Sequence, residues 1–160
     1  MYKNILLLGP KCSGKTTLIY TLLKKITQPN ITIGVELYTK ELYINNEEVK
    51  LCLWDAGNGL YYMDMIQSIL NASSKLKTIM IIINKEDIEF INNVLVFIKK
   101  YNYNIRNILV ILNNMCELNS ELKKKINKTE INLKYFNIKC EIESDVNKVI
   151  NYIKENINII

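Results

Sequence analysis

Apolar positions along the chain follow two patterns. Tyr2–Leu8 is a short apolar run that stops at Gly9, as a buried strand does. Thr78–Ile83 and Asn107–Leu112 are runs of the same kind, and Tyr135–Cys140 is a weaker one. Val35–Ile44 and Val49–Trp54 flank Asn45 and Asn46, a residue type that tolerates left-handed backbone angles, so the pair predicts an antiparallel hairpin. Between the strands the spacing changes to three and four. Ile88, Ile91, Val94, Leu95 and Ile98 mark one face of a helix over Asp87–Tyr101. Lys15–Lys25 and Tyr61–Ala72 predict two more helices, and a short one is expected near Ser120. The last helix spans Ser144–Asn156, with Val146, Val149, Ile150 and Ile153 on its apolar side and Ser144 as its N-cap.

Strands that alternate with helices imply an α/β fold, a mostly parallel sheet with helices on both faces. The early hairpin adds one antiparallel edge strand, so a six-stranded sheet is expected. No linker or repeat divides the chain, and residues 1–160 read as one domain.

Composition narrows the function classes. Hydrophobic residues make up 49% and charged residues 23%, as in soluble globular domains. The net charge of +5 comes from dispersed lysines. Their one run, Lys123–Lys125, has no arginine or aromatic cluster beside it and reads as a solvated helix face, so no nucleic-acid partner is expected. Cys12, Cys52, Cys116 and Cys140 form no CxxC pair and histidine is absent, which argues against zinc and for reduced thiols in a cytoplasmic protein. The apolar stretch Ile79–Ile83 is too short to span a bilayer, and no signal-peptide run opens the chain. Tyr2 excludes N-myristoylation, and Asn158-Ile159-Ile160 carries no prenylation cysteine, so no intrinsic lipid anchor is expected.

Gly9-Pro10-Lys11-Cys12-Ser13-Gly14-Lys15-Thr16 matches G-x-x-x-x-G-K-[ST] at every fixed position, between a predicted strand and a predicted helix. The chemistry explains the spacing. Glycines let successive N–H groups turn inward as an anion nest, and the helix that opens at Lys15 and continues through Thr17 adds its positive end. Lys15 is placed to meet the β- and γ-phosphates, and the Thr16 hydroxyl is a ligand for Mg²⁺. A P-loop NTPase fold that holds a nucleoside triphosphate with Mg²⁺ is therefore expected.

Two further segments carry a family resemblance. Thr32-Ile33-Gly34-Val35-Glu36 and Leu53-Trp54-Asp55 resemble the switch regions of Ras-superfamily small GTPases, the Rab branch above all, and the order of elements agrees along the chain. The resemblance implies that Thr32 ligates Mg²⁺ and touches the γ-phosphate, and that Asp55 holds Mg²⁺ through water. It implies GTP and GDP as ligands, and effector or regulator proteins that read Thr32–Glu36 and Asp55–Tyr62.

The chain also departs from that family. In an ungapped reading, Asn58 replaces the glycine that contacts the γ-phosphate and Gly59 replaces the glutamine that orients the attacking water. A one-residue gap restores Ala56-Gly57 and puts Asn58 in the glutamine position. Neither reading supplies a glutamine, so no catalytic residue is assigned and slow hydrolysis is expected. Lys11 and Cys12 stand where small residues are usual. Lys11 is expected either over the γ-phosphate or in solvent, and Cys12 either as a redox-sensitive thiolate or as an inert thiol. Asn84-Lys85-Glu86-Asp87 spells the guanine-reading motif N-K-x-D but follows an earlier strand than it does in the family, and reads as a helix start. The base site is instead expected at Asn114, Met115 and Glu117, with looser guanine selectivity. No aromatic residue between Lys25 and Thr32 covers the base.

Two functions remain open at this stage. One is a divergent Rab-like switch, dependent on Mg-GTP and implied to act in intracellular trafficking. The other is a non-catalytic pseudo-GTPase that serves as a scaffold. A nucleotide kinase fits less well, because Arg106 is the only arginine.

Overall fold

A computed structural model describes residues 1–72, 76–84, 88–101, 103–114 and 131–156. Six strands form one sheet in the order β2-β3-β1-β4-β5-β6. They are β1 Tyr2–Leu8, β2 Val35–Ile44, β3 Glu47–Ala56, β4 Leu76–Ile83, β5 Asn107–Asn113 and β6 Asn132–Ile138. All neighbours pair in parallel except β2 and β3, which run antiparallel from Val35↔Ala56 to Ile44↔Glu47. Asn45 and Asn46, at φ 51° and 64°, make the turn between them, so the asparagines supply the left-handed geometry that a tight hairpin requires.

Apolar runs buried on both sides feed two cores. In β1, Ile5 and Leu7 face one core while Leu6 and Leu8 face the other. In β5, Leu109 and Ile111 oppose Ile108, Val110 and Leu112 in the same way. The first core is closed by helix α1, Lys15–Leu22, and helix α4, Glu143–Glu155. The second is closed by α2, Met63–Ala72, and α3, Ile88–Lys100. Val146, Val149, Ile150 and Ile153 of α4 are buried, and each contributes roughly 1.5–3 kcal/mol of hydrophobic stabilisation.

Several boundaries differ from the sequence expectation for local reasons. Helix α1 ends at Leu22, not Lys25, because Lys24 turns left-handed at φ 56°. Lys25 N then donates to Tyr20 O at 2.9 Å and Lys24 N to Thr21 O at 3.1 Å, closing the helix end. Ser144 lies inside the first turn of α4 and is not its N-cap. That turn starts from the carbonyl of Ile142, which accepts from Asp145 N and Val146 N, and Asp145 Oδ2 accepts from Lys139 N. The segment expected as one helix from Tyr61 begins as a 3₁₀ turn, Gly59–Tyr62. The last strand lies three residues earlier than expected at its start, Asn132 instead of Tyr135. Lys85–Asp87 and the helix expected near Ser120 lie outside the described residues.

Helix α1, which follows β1, packs on one face of the sheet and α2 on the other. The chain thus reverses direction at the carboxyl end of β1, between neighbours β3 and β4. Ligands of open α/β sheets bind at such a point.

Candidate functional site

Residues beyond the carboxyl ends of the five parallel strands surround one cavity of about 430 Å³. Its lining contains Lys11–Thr17 after β1, Gly57 and Asn58 after β3, Asn84 after β4, Asn113 and Asn114 at the end of β5, and Glu141 after β6. Pro29, Asn30, Ile31 and Thr32 complete the wall on the approach to β2. Pro29–Ile31 thus stand where no aromatic residue was available.

The phosphate loop wraps around its own lysine. Lys15 is 5% exposed, and its Nζ donates to Gly9 O and Pro10 O, both at 2.9 Å, with Ser13 Oγ at 3.5 Å. Burial pulls its pKa down, and Asp55 and Cys12 partly oppose that shift. Backbone geometry demands glycine at two places. A Cβ on Gly9 would stand 2.1 Å from Ile82 O, and Gly14 has φ 103° with Asn113 Nδ2 2.5 Å from where its Cβ would be. Cys12 is exposed at φ 60°, and its carbonyl accepts from Asn84 Nδ2 at 2.5 Å. Lys11 is exposed at the cavity rim.

Three oxygen-bearing side chains meet beside the loop. Thr16 Oγ1 lies 2.6 Å from Asp55 Oδ2, Thr32 Oγ1 lies 3.0 Å from the same oxygen, and the two hydroxyls are 2.9 Å apart. Asp55 is fully buried, and its second oxygen, Oδ1, has no hydrogen-bond partner among the described residues. Burial pushes the Asp55 pKa up, against the hydrogen bonds from Thr16 and Thr32 and the charge of Lys15. An unpaired buried carboxylate oxygen beside two hydroxyls is an all-oxygen donor set, which suits a hard divalent cation such as Mg²⁺.

Thr32 is held there by the backbone that follows it. Gly57 N donates to Gly34 O at 2.9 Å, and a Cβ on Gly57 would stand 2.1 Å from Thr32 O. A side chain at position 57 would therefore push the Thr32 segment away. Asn58, left-handed at φ 45°, lines the cavity, and Gly59 begins the 3₁₀ turn.

At the opposite end, Asn113 is the organising side chain. It is buried, donates to Ser13 O at 3.0 Å and Asn84 Oδ1 at 3.1 Å, and accepts from Cys140 N at 3.0 Å. Sequence reasoning passed over it in favour of Asn114, which lines the cavity as an exposed residue at φ 59°. Asn113 ends a wholly buried strand, and a polar residue there is the signal that was missed. Asn84, expected from the sequence at a helix start, joins Asn113 and Cys12. Met115 and Glu117 lie outside the described residues.

A buried P-loop lysine, a left-handed Gly14 ahead of α1 and a cavity at the sheet's reversal point define a P-loop nucleotide-binding protein. The Ras family model matches residues 4–159, and the chain belongs to that family of small GTP-binding switch proteins. A search of curated proteins gave no match.

Proposed function

We propose that the chain is a Rab-like switch that binds Mg-GTP and hydrolyses it slowly. The observation that carries the reading is the contact of Thr32 with Thr16 and Asp55. It brings the segment ahead of β2 onto the phosphate loop, where a γ-phosphate with Mg²⁺ would hold it and loss of that phosphate would release it. Thr16 and Thr32 would supply hydroxyl ligands and Asp55 would act through water. The Mg²⁺ held by these residues would supply positive charge beside the phosphates. Lys15 and the N–H groups of Lys11–Thr17 would bind the phosphates.

Slow turnover follows from the water-positioning end. Gly57 and Asn58 line the cavity, which favours the gapped reading with Asn58 in the glutamine position. Its amide is one methylene shorter than glutamine and reaches less far toward an attacking water. Ile33 and Tyr61 are exposed on the two segments that partners of a switch read, and Ile31, Leu37 and Met65 are exposed just beyond their ends. A role in intracellular trafficking is consistent with that surface and with the Rab-like residues Thr32–Glu36 and Trp54.

The test is to denature the purified protein and identify the released nucleotide by chromatography, then to follow single-turnover phosphate release. Bound GTP and a rate below about 10⁻⁴ s⁻¹ are expected, with acceleration in Asn58→Gln and none in Gly59→Gln. A faster native rate overturns the slow-hydrolysis reading. Absence of nucleotide, together with no binding of added Mg-GTP, favours the pseudo-GTPase scaffold.

A further inference from the structure

We infer that Glu141 is the carboxylate that reads the nucleotide base, an inference that rests on the GTP-binding reading above. Three observations converge on it. First, the described lining of the cavity carries both signs of charge. Among its described lining residues, Lys11 and Lys15 are the cations, on the phosphate loop, and Glu141 is the one acid. A carboxylate repels a polyphosphate, so it is compatible with this cavity only at the end where the ligand presents neutral hydrogen-bond donors.

Second, the backbone pins Glu141 in place. It is a central residue of the turn Lys139–Ile142, closed by Ile142 N donating to Lys139 O at 3.0 Å. The preceding Cys140 is held through its N–H by Asn113, and Cys140 Cβ lies 3.5 Å from where a Cβ on Gly14 would be. The turn is thereby fixed against the N-terminal end of α1.

Third, Asn113 sets the register after β5. Its bonds to Ser13 and Cys140 make it the asparagine that joins the loop to the base end. The residue three positions on is Cys116, and a thiol cannot accept two N–H bonds side by side. Guanine offers N1–H and the 2-amino group next to each other, and a carboxylate accepts both. Glu141 supplies that group from the turn after β6.

The experiment measures affinity for Mg-GTP, Mg-ITP and Mg-XTP by titration calorimetry, with Mg-tripolyphosphate as a base-free probe. Inosine lacks the 2-amino group and so forfeits one charge-assisted bond. The native protein is expected to prefer GTP over ITP by roughly 10- to 100-fold. Glu141→Gln should bring the two affinities to within about threefold and raise relative affinity for XTP, because the new amide donates to the xanthine 2-oxo group. Glu141→Asp, which keeps the carboxylate, should retain part of the GTP preference. An unchanged GTP/ITP ratio in Glu141→Gln overturns the inference, and loss of that ratio in Glu117→Gln reassigns the role to Glu117. A native protein that does not distinguish GTP from ITP also overturns the inference. In either case, Lys15-dependent tripolyphosphate binding would leave the nucleotide reading standing. If neither GTP nor tripolyphosphate binds, the proposed function fails and the inference fails with it.

Discussion

The two ends of the cavity are built by different means. The phosphate loop is contiguous in sequence: Gly9 to Gly14 join β1 to α1, and the carbonyls of Gly9 and Pro10 hold Lys15. The end proposed to hold the base is assembled from Asn84, Asn113, Asn114 and Glu141, at or beyond the ends of three different strands. A contiguous loop keeps its chemistry as long as its glycines and lysine remain, because backbone groups do the binding. A scattered site depends on side chains, and each can drift or be replaced by a neighbour. The first keeps every fixed residue of the phosphate motif, while no N-K-x-D sequence follows β5.

The largest test of this contrast is Lys15→Ala. It removes a buried cation that the loop itself encloses, and Mg-triphosphate affinity is expected to fall roughly 10- to 150-fold. Unchanged affinity in titration calorimetry would remove the phosphate-site assignment. Asn113→Ala probes the scattered end. It leaves the Cys140 N–H buried without its acceptor and releases Ser13 O, so unfolding free energy should drop by about 1–3 kcal/mol. Asn114→Ala should change stability by much less. Equal losses by chemical denaturation would show that the base end is not organised around Asn113.

Asp55→Asn sharpens the contrast through charge. Burial raises the Asp55 pKa, so the native state prefers the protonated acid and ionisation opposes folding of the ligand-free protein. The neutral asparagine should therefore raise the ligand-free melting temperature at pH 7. Its advantage should shrink as pH falls through the raised native value and vanish below the ordinary carboxylate range. The same variant should lose the Mg²⁺ enhancement of triphosphate binding. A stability gain that persists at low pH would mean that charge burial is not its cause.

The smallest expected effect is at Cys12. An L-residue at φ 60° costs about 1–2 kcal/mol relative to glycine, less the extra entropy glycine loses on folding. Cys12→Gly should thus stabilise the protein by about 0.5–1 kcal/mol in urea melts. A loss of stability would point to contacts of the Cys12 side chain that outweigh the backbone strain.

How much the sequence disclosed depended on the range of the interaction. Local signals were legible: β1 and β2 run over the expected residues, the Asn45-Asn46 turn closes the hairpin, and α3 differs from its expected span by one residue at each end. The Ras family match and the mostly parallel six-stranded sheet agree with the strand–loop–helix context of the phosphate motif. Helix ends were less legible. Ser144 has the right chemistry for a cap, but a carbonyl at Ile142 and the carboxylate of Asp145 organise that turn.

Covalent neighbours and backbone angles suffice for the phosphate loop, which closes on its own lysine and could be read locally. The residues at the other end of the cavity meet only through the folded sheet. Asn113 and Asn114 are adjacent asparagines that no local rule separates. One is selected because the parallel register sets it against Ser13 and Cys140, and its amide then satisfies both backbone groups. Asn84 and Glu141 gain their places in the same way, from strands that become neighbours only when the sheet forms. Periodicity reports which face of an element is buried, whereas the residues that meet across strand ends depend on register between distant segments.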